Sequence, residues 1–173
     1  LIGTHNDGKF REISKLISKK IKKISPKSLN IKAPKETGKT FKSNSELKAN
    51  FFYKKSNLVS LSDDSGLEIK CLKNRPGIYS ARWAKRYGSF NKAMKVILKK
   101  IKRKRNRNAR FVCSLSIKLS NNKIVTSIGT ISGHISSRII GTKGFGYDPI
   151  FVPYGSKITF GQMNLQKKMK IDH

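Results

Sequence analysis

From Phe111 onward the chain alternates with a period of two: Phe111, Cys113, Leu115, Ile117 and Leu119 are separated by mostly polar residues. Such alternation puts the apolar side chains on one face of an extended strand. Asn121-Asn122 turns the chain, and Ile124 to Ser136 returns as a second long strand, so the segment predicts a β-hairpin. A long hairpin needs a sheet to join and a covering layer for its apolar face.

Helical periodicity supplies that layer. Phe10, Ile13, Leu16, Ile17 and Ile21 predict an amphipathic helix over roughly 8–20. A second helix is expected over 41–55, with Leu47, Phe51 and Phe52 on its apolar side. Phe90, Ala93, Met94, Ile97 and Ile101 predict a third over 90–102, and a short one is expected from about Asn164. Leu1 to Thr4 reads as the end of a strand, and 24–40 as a strand followed by a long loop. A strand over 58–63, a break at Gly66, a second extended piece over 67–72 and a short strand over 150–152 complete the sheet. Arg75 to Trp83 reads as a turn and loop. Helices flanking a mixed sheet make the class α/β, in one domain or one domain folded as two lobes. The chain starts at Leu1 without a methionine and stops at His173, so residues are expected to be missing at both ends.

Composition narrows the function classes. Thirty-nine Lys and Arg face nine Asp and Glu, a net charge of +30. That balance attracts polyanions such as nucleotides or nucleic acid, although abundant Lys, Asn, Ile and Ser also fit a base-biased genome. Cys71 and Cys113 form no CxxC pair, and three histidines give no zinc spacing. Both cysteines are expected to be reduced core residues of a cytosolic protein. No apolar run approaches the roughly 20 residues of a membrane span, so no membrane association is expected.

Where acid is so scarce, the pair Asp63-Asp64, followed by Ser65-Gly66 and preceded by the apolar run Leu58 to Leu61, stands out. Two carboxylates at the end of such a run suit a hard divalent cation, which in turn grips a phosphate chain. Adjacent strand residues point to opposite faces, so both reach one metal only if the strand breaks at Gly66. Thr4-His5-Asn6-Asp7-Gly8-Lys9, between a strand and a helix start, offers backbone N–H groups and one ammonium to an anion. Pro76 to Trp83 presents Arg82 to an anion, and Gly144-Phe145-Gly146-Tyr147-Asp148-Pro149 lets a flat ligand approach and stack on an aromatic ring.

Taken in order, these segments resemble the inosine triphosphate pyrophosphatase family, the house-cleaning dITP/XTP pyrophosphatases. The likeness rests on Thr4 to Lys9, Glu36-Thr37-Gly38-Lys39-Thr40-Phe41, Asp63 to Leu67, Pro76 to Arg82, Gly144 to Phe151 and Lys168 to His173. It implies an elongated two-lobed α/β fold with a central mixed twisted sheet flanked by helices, and a nucleotide in a cleft between lobes. It also implies a cytoplasmic homodimer that cleaves dITP, ITP or XTP to the monophosphate and pyrophosphate with Mg²⁺. By the resemblance, Asp64 is metal ligand and general base, with Asp63 and Glu36 as further metal ligands. Lys9 is catalytic, and Lys9 with Thr4, His5, Asn6, Asp7 and Gly8 holds phosphate. Ser65, Arg82, Phe145, Gly146, Tyr147, Asp148, Lys168 and His173 hold the remainder of the nucleotide.

Departures accompany the likeness. His5 replaces a usual Gly, Lys35 and Ser43 replace acids, and Asp172-His173 ends a segment that normally continues to Arg. These departures keep a second reading in view: a basic protein on the same fold, weakened in catalysis and binding nucleic acid through non-specific charge. A third is a related pyrophosphatase for other modified bases.

Overall fold

A computed structural model describes residues 1–171, so His173 and the Asp172 departure lie outside the described residues. Five helices and five strands carry the fold. The helices are α1 (Asp7–Leu16), α2 (Phe41–Ser56), α3 (Ser80–Tyr87), α4 (Phe90–Ile101) and α5 (Leu165–Met169). The strands are β1 (Ser60–Ile69), β2 (Arg75–Pro76), β3 (Asn108–Ser120), β4 (Lys123–Ile135) and β5 (Phe151–Pro153). They form one sheet in the order β2-β1-β3-β4-β5. β1 pairs antiparallel with β2, and β4 with β5. An isolated parallel bridge from Ile2 to Leu61 gives the sheet its mixed character at the chain start.

The chain divides into two compact units, Leu1–Asp64 with Cys113–Ile128, and Ser65–Val112 with Gly129 onward. The second unit holds an apolar cluster in which Leu67 and Ile69 meet Ile97 and Ile101 of α4, together with Phe151 and Phe160. Every third or fourth residue of α4 is buried, which is why its periodicity was a sound guide. In the first unit α2 buries Phe41, Ala49 and Phe52, but also Asn44 and Ser45. Thr40 caps α2 through a reciprocal bond with Ser43, which fixes where the helix begins.

Four expectations are corrected. α1 stops at Leu16, because Ile17 is extended; Leu16 and Ile21 are exposed and only Ile13 is buried. No strand forms near Ile24; its carbonyl accepts from the Ile2 amide, and a 3₁₀ turn follows at Lys27–Leu29. β1 runs unbroken through Gly66 to Ile69. Ser80–Tyr87 is a helix rather than a loop, ended by Gly88 in the left-handed region at φ 88°. Cys71 and Cys113 are half-buried and form no disulfide. No helix among the described residues is long and apolar enough to cross a membrane.

Candidate active site

The first unit brings the loop before α1 to the acidic pair on β1. Asn6 caps α1, its side chain accepting from the Gly8 and Lys9 amides at 2.9 and 3.2 Å. The Asn6 amide donates to Thr4 Oγ1 at 3.2 Å. Loop amides expected to cradle phosphate therefore already donate within the turn, and the anion-binding capacity of the loop rests on Lys9 and the positive start of the helix. His5 faces away from this role: its Nε2 donates to the Ile31 carbonyl at 3.0 Å and its ring lies 6.1 Å from that of Phe52. Asp7 is exposed and pairs with Lys27 at 2.6 Å, which holds its carboxyl below the ordinary range.

With β1 unbroken, its two carboxylates take different partners. Asp63 accepts from Lys9 Nζ at 2.5 Å, and both side chains are largely buried. Burial alone would lower the Lys9 ammonium, but the charge and hydrogen bond of Asp63 outweigh it and hold the group above its ordinary value. Asp64, also buried, accepts from Asn44 Nδ2 at 3.0 Å. Lys48 Nζ lies 3.9 Å from Asp64 Oδ1 and 2.6 Å from Glu36 Oε1. Burial, only partly offset by Lys48 and reinforced by the charge of Glu36, pushes the Asp64 carboxyl up to about 6. A carboxylate tuned that close to neutrality suits a proton acceptor.

Asn44 and Lys48 were not singled out from the sequence. Four residues apart, they share one face of α2, and Asn44 also accepts from the Gly38 amide at 2.8 Å, fixing the Glu36-Thr37-Gly38 turn beside the helix.

The donor set bears on a metal. No three His, Cys, Asp or Glu side chains gather into a ready cage among the described residues. Mg²⁺ does not require one, since it is commonly held by one or two carboxylates together with water and substrate phosphate. Asp64 and Glu36 already share one cation, Lys48, and the charge-starved Asp64 gains from a second; this pair fits Mg²⁺. Asp63 is engaged by Lys9.

The second unit contributes another acid–lysine pair. Asp148 Oδ2 accepts from the Phe145 amide and from Lys168 Nζ, both at 2.9 Å, and both charged side chains are 4% exposed. The ammonium also lies 4.5 Å from the centre of the half-buried Phe145 ring. Gly144, at φ 74°, lets the loop close over Asp148; a Cβ there would fall 2.0 Å from Asp148 Oδ2. Gly146 likewise has positive φ. Tyr147 corrects an expectation: it is buried, donates to the Ser80 carbonyl at 3.0 Å and packs edge-on against Phe90. It therefore offers no stacking face, and burial raises its phenol. Arg82 is exposed, its guanidinium 4.9 Å above the Tyr79 ring, and Ser65 is half-buried on β1.

Comparison with solved structures places the fold among Ham1 proteins. The Staphylococcus aureus Ham1 protein superposes with a TM-score of 0.88 at 35% identity, covering 99% of this chain and 90% of that one. A HAM1 protein from Coxiella burnetii gives 0.90 at 29% identity with the same coverage. The chain is 37% identical over its whole length to a dITP/XTP pyrophosphatase of Zymomonas mobilis subsp. mobilis, 85% of which is covered. It is equally identical to a dITP/XTP pyrophosphatase of Christiangramia forsetii, 91% of which is covered. The Ham1 family profile matches residues 1–173, and the chain belongs to the Ham1 family.

Proposed function

We propose that this chain hydrolyses deaminated purine nucleoside triphosphates, dITP, ITP and XTP, to the monophosphate and pyrophosphate, with Mg²⁺, as a cytoplasmic homodimer. The observation that carries the reading is the buried Asp64, which accepts from Asn44 and lies 3.9 Å from Lys48 Nζ, in a chain similar over its full length to dITP/XTP pyrophosphatases. Asp64 accepts the proton of a water whose oxygen attacks phosphorus, while the bridge between the α- and β-phosphoryl groups breaks and its electron pair leaves on pyrophosphate. Lys9, oriented by Asp63, and Lys48, oriented by Glu36, stabilise the charge that shifts onto the leaving group. Asp64 and Glu36 would hold Mg²⁺, which when bound neutralises and aligns the triphosphate.

For the base, the Phe145 ring backed by the Lys168 ammonium is the stacking surface, and Asp148 with its loop shapes the pocket. A pocket presenting donors to a 6-keto oxygen leaves them unpaired against the amino group of adenine, which disfavours ATP and dATP. Steady-state pyrophosphate release from dITP and dATP, with and without Mg²⁺, tests the proposal. Turnover of dITP far above dATP, and only with Mg²⁺, is expected; equal turnover of the two would refute the specificity.

A further inference from the structure

Charge in this chain is unevenly spread. No Asp or Glu occurs between Glu68 and Asp148, a stretch in which Lys and Arg recur throughout. Within it the last turn of α4 and the segment after it carry Lys99, Lys100, Lys102, Arg103, Lys104 and Arg105, all exposed. Beside them the second unit contains a cavity of about 310 Å³ lined by Leu72, Arg75, Trp83, Arg86, Tyr87 and Lys100.

The lining combines two chemistries. Trp83 and Tyr87 are partly buried against the apolar cluster, which fixes their rings in an edge-to-face pair 6.0 Å apart at 88°. Arg75, Arg86 and Lys100 are exposed cations, and the Arg86 guanidinium lies 6.0 Å from the centre of the Tyr87 ring. Anchored aromatic rings lined by cations, sharing Lys100 with a sequence run that holds no acid, match a strand of stackable bases joined by phosphates. A duplex hides its base faces, and a polyanion without bases would leave the rings unused.

We infer that this cavity and the basic run after α4 form a docking site for single-stranded nucleic acid, sharing no residue with the Asp64 and Asp148 clusters. Trp83, the only tryptophan of the chain, reports directly on it. Titration of the intact protein with an oligo(dT) strand is expected to quench tryptophan emission, and the affinity should fall steeply as salt rises. The double variant Arg86→Ser/Lys100→Ser should bind about ten-fold more weakly at low salt. Its slope of log affinity against log salt should flatten by about 1.4, two contacts of about 0.7 each. Pyrophosphate release should be unchanged in that variant. Three outcomes would overturn the inference: no quenching by oligo(dT); equal quenching by dTMP at the same nucleotide concentration, which indicates a mononucleotide pocket; or binding of heparin as tight as that of oligo(dT), which indicates charge alone.

Discussion

The two units bury apolar and polar side chains in different proportions. The second is built on Leu67, Ile69, Ile97, Ile101, Ile150, Phe151 and Phe160, with the Asp148–Lys168 ion pair and the hydroxyls of Ser80, Ser136 and Thr159 set among them. The first buries few large apolar groups, chiefly Ile2, Phe41 and Phe52, beside Asn44, Ser45, Ser60, Ser62, Asp63, Asp64, Ser114 and Ser116. Some of its hydroxyls satisfy one another: Ser45 Oγ lies 2.9 Å from Ser114 Oγ and 2.7 Å from Ser116 Oγ, and Ser116 continues to Thr126 at 2.9 Å. Apolar burial stabilises in proportion to area, whereas buried charge and hydroxyl must be matched bond for bond to break even. The unit that carries the proposed proton acceptor is thus the one with less margin, and Asp64 is tuned because water is kept from it.

The comparison is broken most directly at Asp64. Asp64→Asn should lower pyrophosphate release by about 10²- to 10⁴-fold, the usual worth of a general base. The fold should persist, because an amide oxygen still accepts from Asn44 and the neutral side chain avoids the cost of a buried charge. Activity above a tenth of wild type would remove Asp64 from the chemistry. In the second unit the expected loss is of stability. Lys168→Met leaves Asp148 as a buried carboxylate without its ammonium, a cost of about 3–5 kcal/mol by denaturant unfolding. A loss below 1 kcal/mol would show that Asp148 is satisfied without the Lys168 ammonium.

What could be read beforehand divides along the same line. α4 was legible because its apolar periodicity coincides with burial: Ala93, Met94, Ile97 and Ile101 all face the core. The hairpin was legible only as extended chain, since along β3 the period of two buries Ser114, Ser116 and Lys118 and leaves Leu115 and Ile117 half-buried and Leu119 exposed. The tail of α1 was misleading because Leu16 and Ile21 keep the period but meet solvent. α3 was hidden by the Pro76-Gly77 turn signal just before it, although Ser80, Trp83, Ala84 and Tyr87 line its inward face. Asp63 and Asp64 stood out through the rarity of acid, and Lys9 through its turn. Asn44 and Lys48 did not: a lysine in a chain this basic carries no local signal, and its meaning comes from Glu36 and Asp64, which are distant in sequence. The strand break assumed at Gly66 failed for a related reason. Gly66 is small because a Cβ would fall 2.2 Å from the Gly77 carbonyl oxygen, a packing demand rather than a bend.

A third effect separates the units by pH. The Asp64 carboxyl is raised from 3.8 to about 6 in the folded, metal-free protein, so folding favours its protonated form. Its contribution to stability is fully present below pH 3.8 and is lost as pH rises through about 6, by up to about 3 kcal/mol. The difference in thermal midpoint between wild type and Asp64→Asn, measured without metal, should therefore move against the wild type between pH 4 and 7. A difference independent of pH would mean that Asn44 and Lys48 already compensate the charge in full.

The smallest effect tests whether the polar interior of the first unit is saturated. Ser62, next to Asp63 on β1, is 1% exposed, and its Oγ has no hydrogen-bond partner among the described residues. The hydroxyl also crowds the chain start, since a Cβ on Gly3 would lie 2.2 Å from it. Ser62→Ala removes an unpaired polar atom from a tight place and leaves a void too small to cost much, so a gain of about 0.5–1 kcal/mol is expected in denaturant unfolding. A loss instead would mean that the Ser62 hydroxyl is hydrogen-bonded in solution. The first unit would then be as fully matched in its polar interior as the second is in its apolar one, and its tuning of Asp64 would come without a stability deficit.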